Sequence, residues 1–192
     1  MSIDLLQLVS RFRSFEDRET EVAWFRTLVP WIAPEAYLNI IFKPAPRGIL
    51  LEMARKLSFP PSVHEFFQRQ NGAILFSGAL SVFGVVEPGR LLNRQDPFSL
   101  PPFNIEQENA SWPVHRDQFL VIGAYQFDGS RVCINRSDAT VHVLKKKQKA
   151  PSISWPSLES WLGDEIARLS FAFDNEGRMT VPESETGPPQ SA

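Results

Sequence analysis

The feature that most constrains this chain is a change in hydrophobic period at Gly72. Before it, the apolar residues from Leu50 to Leu57 recur at spacings of three and four, which is typical of one face of a helix. After it, short apolar runs such as Phe119–Gly123 and alternating patterns predominate, and these are typical of strands. A wide helical face returns in Leu158–Leu169. The order of these patterns predicts a mixed fold of the α+β class.

Length and charge narrow the classes of protein further. The 192 residues, 43% of them hydrophobic, are enough for one domain with a real core, and this composition excludes global disorder. The formal net charge of -2 differs from the strongly basic balance of a general nucleic-acid binder. We therefore expect no direct nucleic-acid partner.

The compartment is predicted from what the sequence contains. Cys133 is the single cysteine, so no intrachain disulfide can form, which fits a reducing compartment. A secretory signal has a basic region before an apolar run, and the start of the chain, Met1–Asp4, lacks this pattern. No apolar run approaches the ~18 residues of a membrane-spanning helix. We expect a cytoplasmic protein without a membrane partner.

The ends of the chain differ in pattern from its middle. Apolar spacing predicts a short helix over residues 5–12 and a second helix with Val22, Phe25 and Val29 on one face. From about Asp174 the chain becomes polar and proline-containing. The predicted organisation is an N-terminal helical extension, a main α+β domain and a disordered tail, over residues 1–45, 46–173 and 174–192.

Turn residues divide the main domain. Pro60 and Pro61 precede an aromatic helix over residues 63–70, which Asn71-Gly72 is expected to close. The proline-containing residues 90–118 are predicted to be a long loop. Asp128-Gly129 predicts a type I′ hairpin turn.

Few residues favour catalysis or metal binding. Adjacent helical residues such as His64 and Glu65 point in different directions, and the pair lacks a third, orienting group. Cys133 lies within a strand pattern, where a small buried side chain is the expectation. The three histidines have no metal-ligand spacing. We expect a protein that is not an enzyme, with no catalytic residue, no cofactor and no metal.

Two features have both a binding and a structural interpretation. The lysine run over 145–149 could meet phosphates or an acidic partner, although lysines at a strand end also discourage edge-to-edge pairing. Trp112 follows Glu106 and Glu108 in a proline-containing stretch, where it could anchor a partner beside an acidic rim. The alternative is a tryptophan folded back to cover the sheet.

Three stretches of the sequence resemble blocks of the SUKH superfamily, which is named in part for the yeast cell-wall assembly regulators. The first is residues 59–72, which carry a Pro-Pro, an aromatic helix and Asn-Gly. The second is Phe119–Gly123, followed by Asp-Gly and the strand Val132–Asn135. The third is the closing helix that begins at Trp155–Leu162. The resemblance covers roughly residues 48–165, and the family-motif positions are Pro60, Pro61, Phe66, Phe67, Asn71, Gly72, Ile122, Gly123, Asp128, Gly129, Trp161 and Leu162.

This resemblance implies a fold and a function. The fold would be an α+β domain with a single twisted, mainly antiparallel sheet and helices packed on it. Most bacterial members of the family look like immunity proteins that bind and block a cognate toxin domain, often a nuclease. The expected partner is therefore a protein, most simply a toxin domain. The alternative is a regulatory or scaffold module that binds endogenous proteins, through the N-terminal extension in particular, and an unrecognised hydrolase is a third, less supported alternative.

Overall fold

The structure, a computed structural model, describes residues 4–12, 14, 16–87, 98, 100–112, 117–145 and 151–189. Its helices are α1 Leu5–Leu8, α2 Arg47–Leu57, α3 Pro61–Phe67, α4 Ile105–Ser111 and α5 Leu158–Ser170. Its strands are β1 Arg18–Glu19, β2 Ala23–Leu28, β3 Tyr37–Phe42, β4 Ala73–Leu75, β5 Leu80–Val82, β6 Phe119–Tyr125, β7 Arg131–Asn135, β8 Val141–Leu144 and β9 Ile153–Trp155.

The nine strands form one sheet in which every strand pairs antiparallel with its neighbours in the chain, in the order β1 to β9. The sheet is not closed into a barrel. Sequential antiparallel pairing needs only short connections, and longer connections carry the helices that cover the sheet. The α+β class, with helices packed on an antiparallel sheet, is confirmed.

One side of the sheet, which we call the helix face, holds the main apolar core. Val82, Gly123 and Val132 are aligned across β5, β6 and β7 on this face. A Cβ atom on Gly123 would lie 3.4 Å from the Cη2 atom of Trp161, which is fully buried on α5. That distance is an ordinary contact, whereas the same Cβ atom would lie only 2.6 Å from the carbonyl oxygen of Ser81, so the glycine is required by the close approach of β5.

The opposite side, which we call the cleft face, is covered differently. Ser81, Ala124, Arg131 and Leu144 are aligned across β5 to β8 on this face, because each lies one residue away from a position on the helix face. The short helix α4 packs against β6 here. Two polar side chains, Ser81 and Arg131, therefore lie on this face, where the aligned residues of the helix face are apolar or glycine.

The predicted helix over Val22, Phe25 and Val29 is wrong, because β2 occupies Ala23–Leu28. Buried and half-buried residues alternate along β2, and it pairs with β3. Aromatic and β-branched residues favour strands when a partner strand is available, which overrides a helical spacing of three and four. Because β3 pairs with β4, the described part of residues 1–45 shares the sheet with the main domain and is not a helical extension.

Asn71-Gly72 does not close α3, which ends at Phe67. The Asn71 side chain instead donates to the carbonyl oxygen of Val85 and accepts from its N–H group, both at 2.7 Å. Gly72 has a φ angle of +86°, and a Cβ atom there would lie 2.5 Å from the carbonyl oxygen of Val82. The pair thus ties the entrance of β4 to the exit of β5.

The remaining family-motif positions are mostly internal. Pro60 and Pro61 begin α3, where a missing N–H group is tolerated, and the last helical residues Phe66 and Phe67 are buried. Four further motif residues lie in β6 and α5, and all four are buried: Ile122, Gly123, Trp161 and Leu162.

The turn between β6 and β7 is not type I′. Gly129 has a positive φ of 68°, but Asp128 is not among the residues with positive φ, whereas type I′ requires it at both central positions. The Asp128 carboxylate accepts a 3.0 Å hydrogen bond from the Ser130 N–H group. An Asx turn closes the hairpin instead.

Residues 174–189 do not form a disordered tail. A 3-10 turn occupies Glu183–Thr186, and Thr186 is 2% exposed. The predicted disorder followed from polar composition, whereas the segment is held by hydrogen bonds from α5. The last three residues, 190–192, lie outside the described part of the chain.

Candidate partner-binding cleft

The cleft face is organised by α4, which lies within the stretch predicted to be a loop. The Asn104 side chain caps this helix by accepting from the N–H group of Glu106 at 2.9 Å. The Asn109 side chain donates to the carbonyl oxygen of Val121 at 2.8 Å and accepts from its N–H group at 2.9 Å. The register of β6 shifts beside Val121, and Asn109 satisfies the backbone groups at this irregular position.

An ion pair links α4 to the sheet. Arg131 Nη2 lies 2.9 Å from Glu108 Oε2, and the two side chains are 24% and 25% exposed. The Arg131 guanidinium also lies 5.7 Å from the ring centre of Phe83 and 5.6 Å from that of Trp112. Arginine is suited to such a position, because its flat guanidinium contacts ring faces while it pairs with a carboxylate.

An open cleft of about 380 Å³ lies beside this ion pair. Its walls include Phe83 and Phe103, whose rings meet edge to face at 6.2 Å. Ser81 and Gln126 contribute polar groups to the lining. The volume and the lining of this cleft suit a side chain or a small group, which would contact the apolar walls and a few polar groups.

The cleft exposes a large apolar side chain, because Phe103 in its lining is 48% exposed. Leu100, three residues earlier and 45% exposed, lines a different pocket with Pro101 and Pro102. The segment is held to the sheet because the Gly84 N–H group donates to the Phe103 carbonyl oxygen at 2.8 Å. An exposed phenylalanine on a fixed backbone is a typical anchor at a protein interface.

The three residues predicted to bind a partner do not form an exposed acidic rim. Trp112 is 6% exposed, so the interpretation of a tryptophan folded back over the sheet is the correct one. Glu106 pairs with Lys56 of α2 at 2.5 Å, and Glu108 pairs with Arg131. Only Glu108 lines the cleft, as the acidic half of its ion pair.

Sequence reasoning missed Phe83, Phe103 and Arg131. The run Leu100–Phe103 does place an aromatic residue after two prolines, which is a local sign of a fixed extended segment. No local pattern pairs Arg131 with Glu108, since the contact depends on how α4 crosses the sheet.

Burial shifts the pKa of two titratable groups near this face. Burial raises the pKa of the Cys133 thiol to about 12, so it is not a thiolate near neutral pH. Burial lowers the pKa of His142, whose Nε2 lies 2.7 Å from Thr140 Oγ1 and whose ring contacts Phe119. Both groups have the surroundings of packed side chains.

The other chemical candidates are dispersed. His64 and Glu65 lie on α3, and neither of them lines the cleft. Lys145 lies 3.7 Å from Asp128, while Lys146–Lys149 and His115 lie outside the described residues. Within the ranges that the structure describes, no group of three or more His, Cys, Asp or Glu side chains is arranged to hold a metal ion.

Two findings complete the description. None of the helices in the described part of the chain has the length and apolar character needed to cross a membrane. No protein-family model matches the chain, and no curated protein sequence matches it either.

Proposed function

We propose that this chain is a non-enzymatic protein-binding domain, and specifically an immunity protein that binds and neutralises a toxin domain through the cleft face. The observation that carries this proposal is the half-exposed ring of Phe103 at the mouth of a cleft with aromatic walls. The sequence resemblance to immunity proteins of the SUKH superfamily supplies the class of partner. Binding would block the toxin sterically, without a chemical step.

The chemistry of the cleft defines what the partner must present. Phe83 and Phe103, whose rings already contact each other edge to face, offer a joined apolar surface that favours an apolar or aromatic side chain packed against it. Gln126 and Ser81 can exchange hydrogen bonds with a polar group at the end of that side chain. A tyrosine or tryptophan side chain meets both requirements.

The charges of the cleft argue against attraction of a strongly charged group. Arg131 and Glu108 neutralise each other at 2.9 Å, so this part of the face carries no free charge to steer a partner. Inserting an apolar group beside the pair would further remove it from water and strengthen the pairing. Specificity would therefore come mainly from shape and from the aromatic anchor.

The proposal is tested by co-expression with the reading frames adjacent to its own gene, scored by cell survival and co-purification. The expected result is rescue of cells from one toxic neighbour, together with a stable complex. A complete panel of toxic neighbours that are neither bound nor neutralised would contradict it.

The same experiment separates the alternative of a regulatory or scaffold module. That alternative expects a bound endogenous protein and no rescue. Deleting residues 1–45 cannot serve as its test, because the deletion removes β1, β2 and β3 from the sheet. Substitutions on the surface of the intact chain are needed instead.

A further inference from the structure

The end of the described chain behaves as a docked peptide. We call residues 182–189 the C-terminal strap. It contains the 3-10 turn Glu183–Thr186, and Thr186 is 2% exposed. Its own backbone bond is local, from the Glu185 N–H group to the Pro182 carbonyl oxygen, and it forms no part of the nine-stranded sheet. The strap therefore lies on the domain as a separate segment, outside the sheet.

One arginine of α5 holds the strap. Arg168 Nη1 donates to the carbonyl oxygen of Glu185, and Arg168 Nη2 donates to that of Gly187, both at 2.7 Å. The bonds use backbone carbonyl groups, which every peptide offers. The guanidinium fork thus recognises the course of the backbone and leaves the side chains of the strap free to vary.

The arginine is itself held rigidly by a buried carboxylate. Arg168 Nε lies 3.2 Å from both carboxylate oxygens of Glu165, and Nη2 lies 2.6 Å from Oε2. Glu165 is 1% exposed, whereas the Arg168 side chain is 30% exposed. A buried charge fixes the orientation of a partly exposed one, which prepares Arg168 to bind acceptors from outside.

The contact between Gly187 of the strap and the ring of Phe127 favours a small residue at position 187. A Cβ atom on Gly187 would lie 3.0 Å from Cδ1 of Phe127, in the turn between β6 and β7. Phe127 is 46% exposed even with the strap in place. The groove between α5 and this turn therefore accepts a backbone that passes close to an aromatic ring.

We propose that this groove is a second peptide-binding site, filled in cis by the strap and able to bind a segment of a partner protein that adopts the same single-turn conformation. The segment would present two backbone carbonyl groups to Arg168 and a glycine to the Phe127 ring. This site is separate from the cleft of the proposed function, because it lies against α5 on the helix face. It stands or falls independently of toxin binding.

The test uses the full chain and a fluorescent peptide with the sequence of residues 180–189. Thr186→Asp places a charge at a buried position of the strap and should release it. The released chain is expected to bind the peptide at least ~10-fold more tightly than the wild-type chain, whose own strap competes at an effective concentration of roughly millimolar. A peptide with valine in place of Gly187 should bind more weakly, since its side chain meets Phe127.

Two outcomes of this binding experiment overturn the proposal. One is a folded Thr186→Asp chain that binds no peptide. The other is equal binding of the glycine and valine peptides, which would mean that the groove does not distinguish the two residues. Adding Arg168→Lys to Thr186→Asp keeps the charge but removes the fork, and it is expected to abolish binding.

Hydrogen exchange of the wild-type chain provides a test that needs no variant. The amide of Glu185, which donates to the Pro182 carbonyl oxygen within the strap, should exchange by local opening, at least ~100-fold faster than the amide of Leu169 in α5. Equal protection would mean that the strap leaves only when the whole domain unfolds. That result would overturn the proposal of a displaceable segment.

Discussion

The two faces of the sheet are built from the same strands but differ in how their side chains are covered. On the helix face, Trp161 and Leu162 are fully buried against apolar strand residues. On the cleft face, the row that crosses the same strands contains Ser81 and Arg131, and a cleft remains open beside α4. The helix face is filled by packed side chains, whereas the cleft face leaves aromatic and polar groups available to another molecule.

This contrast indicates which residues we expect to determine stability and which we expect to determine binding. Residues of the helix face fill space between α5 and the sheet, so a change there is felt by the whole fold. At the cleft, Phe103 is 48% exposed and the side chains of Arg131 and Glu108 are about a quarter exposed, so their pairwise contacts contribute less each. We expect substitutions on the two faces to move different measurements.

The largest expected effect is on the helix face. Trp161→Ala should destabilise the domain by about 3–5 kcal/mol, because it removes a fully buried indole from beneath Gly123 and Tyr125. Urea unfolding followed by circular dichroism measures the change. The matched cleft-face variant, Phe103→Ala, should shift the free energy of unfolding by less than ~0.5 kcal/mol. Similar losses in both variants would break the comparison.

A pH dependence should follow from the buried thiol. The pKa of Cys133 is about 12 in the folded chain and near 9 when exposed, so the folded state binds more protons between these values. Stability is therefore complete below about pH 9 and falls as the pH rises toward 12. Unfolding measured across this window should show a smaller slope for Cys133→Ala. An unchanged slope would mean that other groups, such as Tyr125, dominate alkaline unfolding.

A smaller effect is expected at the contact that fixes α4. Asn109→Ala removes the two hydrogen bonds to the backbone of Val121 and should cost about 1–3 kcal/mol. Hydrogen exchange should show loss of protection in α4 and in β6 near Val121. Gln107→Ala on the exposed side of the same helix is the control, and it should leave protection in β6 unchanged.

A small stability effect is also predicted for the ion pair of the cleft. Arg131→Met should change the free energy of unfolding by no more than ~1 kcal/mol while weakening partner binding at least tenfold. Lys56→Met breaks the other ion pair of α4, with Glu106, outside the cleft between Phe83 and Phe103. It should affect neither quantity. Equal loss of binding in both variants would indicate that α4, not the cleft, is recognised.

The elements with a strong local period could be predicted from the sequence. Helices α2, α3 and α5 and strands β4 to β8 lie where hydrophobic spacing and turn residues placed them. β2 could not be predicted in the same way, because its apolar residues fit a helical spacing until β3 is known to lie beside it. β9 is only three residues long and is defined by its pairing with β8.

The site was harder to predict than the fold. Glu108 was singled out as part of an acidic surface, but its role depends on Arg131, which a crossing of helix and sheet brings to it. α4 itself was hidden by flanking prolines, since its stability comes from the cap at Asn104 and the side chain of Asn109. The C-terminal strap could not be predicted from its polar composition either, because hydrogen bonds from a single arginine, Arg168, hold it in place.

The most direct test of the account is the affinity of the purified chain for a toxin domain that it neutralises. Phe103→Asp is compared with Phe171→Asp, which is a matched change at an 80% exposed phenylalanine after α5. The account predicts that Phe103→Asp weakens binding at least tenfold with unchanged unfolding, and that Phe171→Asp binds like wild type. Equal affinity of both variants and wild type would contradict the assignment of the cleft face as the binding surface.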